Sequence, residues 1–273
     1  MRGRHQIAAL AAFAVLIGAP AAQAWQQSTS SKGAKLHWTD PCQVIYAHEI
    51  GSADVADDTD IAAIQASLET WNAVECSAFT FLWGGLTNMA WAGYSSHGEN
   101  ASIVIFREDN WPYEQRPVAF TSVTYNPVTG VILDADIEMN AEDYSFTTGG
   151  PDKLPGDIDI QNTLTHEAGH IFGLEHSDDI KATMYASSIF GETLKRTLDK
   201  DDEDGVCTIY PAEDGAEACQ EVARLDLWVE DPDSPPGPAS NPSCAVGGAR
   251  AAAGAWVLFA AAGMLLLRRR RTI

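Results

Sequence analysis

The chain has 273 residues, 45% of them hydrophobic and 20% charged, and a formal net charge of −21. This is the composition of a globular protein with room for one ordinary domain. The acidity excludes a nucleic-acid binder, because neutralising phosphates takes a basic surface; it fits a soluble, exported protein. Arg2, Arg4 and His5 precede an apolar run from Ile7 to Ile17 that is too short for a comfortable membrane span, and Ala22-Gln23-Ala24 offers a small-x-small cleavage site. Residues 1–24 are expected to be a signal peptide.

Residues 35–50 are expected to hold a first strand. The acids from Asp57 to Asp60 lead into a helix whose Ile61, Ile64, Leu68 and Trp71 fall on one face, with Thr59 or Asp60 as its cap. Strands are expected at Phe79–Trp83, Ala101–Phe106, Val118–Thr124 and Val131–Met139, the last two joined by a turn over Tyr125–Gly130. Trp91, Trp111 and Tyr113 are expected to pack in the core or loops. After a Gly/Pro loop, Asp157 or Asp159 caps a second helix running to Gly173. Residues 174–197 show no period and form a structured loop. The acids Asp199–Glu203 do not keep calcium-loop spacing and suit the positive end of a third helix, ending near Ile209.

The second helix carries His166-Glu167-Ala168-Gly169-His170, then Gly173 and His176. Residues four apart share a helix face, so the imidazoles of His166 and His170 stand one turn apart, within reach of one zinc ion. Gly173 can take the left-handed conformation that ends a helix, which lets His176 approach the same ion. Three imidazoles with one open position is the form of a catalytic zinc site. Glu167 sits where it can reach a metal-bound water without binding the metal. His37, His48 and His97 are isolated and carry no such pattern.

HExxHxxGxxH, followed by a methionine in Ala182-Thr183-Met184-Tyr185, resembles the metzincin zinc proteases. His176-Ser177 and Met184-Tyr185 resemble the matrixin branch, as does the stretch Leu198 to Tyr210. The resemblance spans residues 36–211 and is sharp from 163 onward. It implies an α+β fold, a zincin/metzincin catalytic domain with a twisted, mixed five-stranded sheet and three helices, and Met184 in a turn beneath the zinc. It further implies that Val118–Thr121 is an edge strand pairing with the substrate backbone. Tyr185 adjoins Met184 and is assigned no ligand role. No PRCGxPD-like cysteine switch is present, and Cys42 lies in the unrelated DPCQV. In the strand Asp134-Ala135-Asp136-Ile137-Glu138 an aspartate stands where a second, structural zinc would need a histidine, so one catalytic Zn2+ is expected; Ca2+ stays open as a further cofactor.

From Asp231 to Ser243 the chain has five prolines and reads as a stiff linker. Residues 251–267 are continuously apolar, with alanines and leucines that favour helix, and Arg268–Arg271 follow. Cys244, this short span and the arginines resemble the MYXO-CTERM sorting tails of surface proteins; a plain membrane anchor is the alternative. The domain boundaries are therefore 1–24 signal peptide, 25–215 protease domain, 216–243 linker and 244–273 anchor. In an exported chain Cys42, Cys76, Cys207 and Cys219 are expected as disulfides. Of three possible pairings, Cys42–Cys76 and Cys207–Cys219 are preferred. The resulting expectation is a secreted or surface-anchored, monomeric zinc endopeptidase acting on proteins or peptides. Its catalytic residue is Glu167 and its metal ligands are His166, His170 and His176. The competing class is a surface adhesion module that retains a zinc fold.

Overall fold

Parallel strands need a crossover long enough to return the chain to the same edge, and a helix is the usual solution. The first third of this protein builds such a unit. The structure is a computed structural model describing residues 23–97, 100–149, 154–212, 219 and 255–258. In chain order its elements are β1 (Gln26–Gln27), β2 (Cys42–His48), α1 (Thr59–Asn72), β3 (Thr80–Thr87), β4 (Ser102–Phe106), β5 (Ala119–Tyr125), β6 (Ile132–Met139), β7 (Phe146–Thr147), β8 (Ile158–Asp159), α2 (Ile160–Ile171), β9 (Leu174–Glu175), α3 (Lys200–Ile209) and β10 (Ala255–Leu258). A short 3-10 turn, Leu194–Arg196, precedes α3.

The fold is α+β, as expected: a mixed five-stranded sheet ordered β3-β2-β4-β6-β5, with three helices. Four strands run parallel, and β5 closes the edge as the antiparallel arm of a hairpin with β6. Gly130 in that hairpin has φ +77° and lies so close to Lys35 that a Cβ would stand 2.1 Å from its carbonyl oxygen. β10 adds antiparallel to Ser122–Tyr125, where the sequence suggested helix. Among the described residues no helix is long and apolar enough to cross a membrane. Residues 1–22, the linker at 216–243 apart from Cys219, and Cys244 lie outside the described residues.

The core forms where α1 and α2 pack on the sheet. Ile64, Leu68 and Trp71 of α1 are buried as the spacing predicts, while Ile61 sits at the margin. Trp71 meets Phe172 edge-on, ring centroids 4.6 Å apart, and Phe79, Phe81 and Tyr210 complete the aromatic cluster. The cap of α1 corrects expectation. Neither Thr59 nor Asp60 is its N-cap, which is Asp58. Asp60 is buried and instead accepts from Ser52 N at 2.7 Å, tying down the preceding loop. Trp111 is buried, whereas Trp91 is exposed.

The disulfides also differ from the preferred pairing. Cys42 bonds Cys219 and Cys76 bonds Cys207. Sequence separation favours short loops, but the fold brings the end of α1 against α3, so Cys76 and Cys207 have Cα atoms 5.3 Å apart, ordinary disulfide geometry.

On β6, Ala135, Ile137 and Met139 face the apolar core, and alternation sends Asp134, Asp136 and Glu138 to the other face, also buried. Those carboxylates anchor the long β4–β5 and β3–β4 connections. Asp136 accepts from Gly93 N at 2.6 Å and Ile103 N at 3.0 Å, and Asp134 from Asn100 Nδ2 at 2.9 Å. Glu138 takes Arg107 Nε and Tyr113 OH, each at 2.5 Å.

Burial raises the pKa of both Asp134 and Asp136, and the charge of Asp134 pushes Asp136 further. The folded state then holds protons more tightly than the unfolded one. The pair's contribution to stability is therefore full below about pH 4 and is lost as pH rises towards about 8. Asp134→Asn removes the repulsion while keeping an acceptor for Asn100. Its melting temperature should gain about 3 °C on the native protein at pH 8 and much less at pH 5, read by thermal denaturation across that range.

Candidate metal centre

Helix α2 is built to hold its imidazoles rigidly. Asp159 caps its start by accepting from Asn162 N at 2.8 Å, one of the two caps proposed from sequence. Its last carbonyls are also satisfied: Trp38 Nε1 donates to Ile171 O, and Tyr210 OH to Phe172 O, both at 2.9 Å. The helix ends two residues earlier than expected, at Ile171. Gly173 takes φ +96°, and a Cβ there would lie 2.7 Å from Leu36 O, so only glycine permits this exit. The turn carries β9 back and delivers His176 to the face presented by His166 and His170.

The three imidazoles stand together, with ring centroids 4.9, 5.1 and 5.3 Å apart. One ligand atom from each lies within 4.8 Å of the others, a spacing that one ion could bridge. The donor set suits zinc on a second ground. His166 Nδ1 donates to Thr183 O at 2.6 Å and His170 Nδ1 to Leu174 O at 2.8 Å. Those bonds put the ring proton on Nδ1 and the lone pair on Nε2. His176 Nε2 is buried without any hydrogen-bond partner. Burial lowers the pKa of all three rings, His170 to about 3, so they stand neutral, the form that binds metal.

Glu167 directly follows His166 on α2. It is buried, and Thr121 Oγ1 of β5 donates to its Oε2 at 2.6 Å. Burial pushes its carboxyl up to about 7, against the pull of the Thr121 hydroxyl; a divalent cation nearby would draw it down.

The floor is Met184. A Cβ on Gly169 would meet its Sδ at 2.2 Å, so the glycine inside HExxH lets the methionine pack against the helix. The turn is clamped by Asp202 of α3, fully buried, whose carboxylate accepts from Thr183 N at 2.7 Å, Met184 N at 2.9 Å and Asp199 N at 2.9 Å. Ser177 N donates to Met184 O at 2.9 Å, and Ser177 Oγ to Asp201 Oδ2 at 2.6 Å. Asp201 Oδ1 also receives Trp25 N at 3.0 Å, so the N-terminal segment is fastened to the same helix.

The structure thus brings together every site residue expected from sequence: His166, Glu167, His170, His176 and Met184. Tyr185 directs its carbonyl to the ammonium of Lys195. Sequence reasoning missed Thr121, Asp202 and Lys195. Asp202 carried a signal, as an acid three after the Asp199 cap, but only as half of a capping box. Thr121 and Lys195 carried none, because contacts 46 and 10 residues apart leave no local pattern.

Comparison with known proteins agrees with the geometry. The matrixin family model matches residues 21–211, and the chain belongs to that family. It is 30% identical to metalloendoproteinase 1 of Glycine max over 56% of this chain and 46% of that protein. It is 27% identical to neutrophil collagenase of Homo sapiens over 60% of this chain and 30% of that protein. The chain therefore spans less than half the length of these curated relatives.

Replacing Asp202 by alanine strands three backbone N–H groups, two of them in the methionine turn. It should cost about 3 kcal/mol, measured by denaturant unfolding. Gly169→Ala should cost about 1–3 kcal/mol by the same measurement, because Met184 must move away from the new methyl group.

Proposed function

We propose that the protein is an exported zinc-dependent endopeptidase that hydrolyses peptide bonds in protein substrates. The observation that carries this reading is the convergence of three neutral imidazoles, one with an orphaned Nε2, at the helix that also carries the Glu167 carboxylate held by Thr121. His166, His170 and His176 would hold the ion. When bound, zinc supplies a Lewis acid for the scissile carbonyl and acidifies a water.

The protein's own groups do the rest. Thr121 holds Glu167 by Oε2, so Oε1 is left to take a proton and return it to the leaving amine. The backbone of Ala119–Thr121, beyond the stretch that pairs with β10, would receive the substrate as an added strand. The neutral imidazoles keep their lone pairs for the ion, and Met184 excludes water from beneath. Two disulfides support an oxidising compartment and hence export. A sorting tail that holds the enzyme at the cell surface fits the apolar span and arginines at the end of the sequence.

Purified protein should cleave an unfolded protein substrate, and chelation should abolish the cleavage. Glu167→Ala should lose activity by roughly 10²–10⁴-fold while still binding zinc, as read by metal analysis and a product assay. Undiminished cleavage by the variant would rule out the role given to Glu167.

A further inference from the structure

Strand β5 lies at one edge of the five-stranded sheet, with β6 on its inner side. An open edge carries a row of unpaired backbone N–H and C=O groups and invites another strand. Here β10, from the far end of the chain, takes that place. Ala255 pairs with Tyr125, Trp256 with Thr124, Val257 with Val123 and Leu258 with Ser122. Trp256 and Val257 are residue types that suit a strand. The pairing ends at Ser122, next to Thr121, whose hydroxyl holds Glu167.

The direction of β10 matters. It is antiparallel to β5, so it runs from Tyr125 towards Thr121, and its C-terminal end leads to the level of Glu167. A substrate added to the same edge in the same direction would lay the residues ahead of its scissile bond against Ser122–Tyr125. The tail and an extended substrate therefore compete for one row of hydrogen-bonding groups. The tail is also tethered close by. Cys219 is bonded to Cys42 at the start of β2. Fully extended, residues 220–254 could span roughly 115 Å. Strands β2 and β5 are separated only by β4 and β6, about 15 Å across the sheet. The pairing is thus intramolecular, at an effective concentration on the order of millimolar.

We propose that residues 255–258 are an autoinhibitory strand: paired with β5, they occupy the part of the sheet edge that an extended protein substrate must use, and they hold the enzyme at low activity until the tail is removed or displaced. The inference rests on the peptidase reading above and adds its regulation. This form of latency needs no thiolate at the metal, and the four described cysteines are all disulfide-bonded. The strand covers backbone and not imidazoles, so it raises KM for extended substrates and leaves kcat and zinc binding unchanged. Its register leaves Ala119–Thr121 unpaired, so peptides short ahead of the scissile bond escape it. Residues 255–258 also lie inside the apolar span 251–267. They cannot pair with β5 and enter a membrane at once, so anchoring the span, or cutting it away, uncovers the edge.

The test uses purified, zinc-loaded full-length protein with a site for a sequence-specific protease inserted between Pro236 and Gly237. Cutting the folded protein there and diluting it lets the tail dissociate. On a long peptide, with several residues ahead of the scissile bond, kcat/KM should rise about tenfold through a lower KM. On a short peptide with few residues there it should change little. Uncut protein carrying both Trp256→Pro and Val257→Pro should match the cut protein. Successive N–H groups of a strand point to opposite sides, so one of the two prolines removes a donor to β5. A synthetic peptide of residues 252–260 should inhibit the cut protein competitively. Chelator-sensitive cleavage whose KM does not change on cutting would overturn the inference. So would a gain on cutting that the folded proline variant fails to reproduce. If that variant does not fold, the cut protein decides alone, since its strand is unaltered. Absence of cleavage in cut and uncut protein alike is a different result, and it removes the peptidase reading together with this one.

Discussion

The carboxylate of Asp202 is the contact on which the rest of the site depends. It is fully buried and accepts from Thr183 N, Met184 N and Asp199 N. Burial raises its pKa, the charge of Asp201 adds a smaller push, and those three bonds offset the cost. The turn that they hold does two further things. The Thr183 carbonyl fixes the tautomer of His166, and the Met184 side chain fits against Gly169 under the imidazoles. A single acid on α3 thus sets the chemistry of a histidine on α2, although the two lie 36 positions apart in sequence.

Helix α2 is held with the same economy at both ends. Its start is capped by Asp159, which also pairs with Arg196. Its end is covered by the Trp38 indole, the Tyr210 hydroxyl and Ser28 N, donors from three distant segments. Unsatisfied terminal carbonyls would leave the helix free to fray where it must deliver His170 and His176. The tight exit at Gly173 then depends on close approach to Leu36, so the N-terminal stretch is part of the metal centre's support.

Polar groups are buried on both faces of the sheet, the acids on the face away from α2 and Thr121 on the face towards it. β6 places three acids against the long connections, and β5 places Thr121 against Glu167. Strand alternation makes this possible, since one face of β6 serves the core while the other binds backbone N–H groups. In the strand where the family resemblance led a metal-binding histidine to be expected, Asp136 accepts from Gly93 N and Ile103 N. The same loops are thus fixed by protein hydrogen bonds.

Much of this protein was legible in its sequence. The helical spacing of His166 and His170, the glycine at 173 and the strand runs around Ile103, Phe120 and Ile137 are short-range patterns set by the backbone periods of 3.6 and 2. They determined the position of α2 and the chemistry of its face, and the family resemblance implied the fold class. Tertiary structure decided what those patterns could not encode. Cys42 bonds Cys219 and Cys76 bonds Cys207, because the sheet and helices set which segments meet, whatever the loop length. Asp60 gave up the expected capping role because its carboxylate found Ser52 N. Thr121, Asp202 and Lys195 became parts of the site through contacts between elements. The sequence by itself determined which residues can bind a metal. Only the packed structure decided their protonation, their orientation and the charge that stands beside them, since each depends on which groups burial excludes from water.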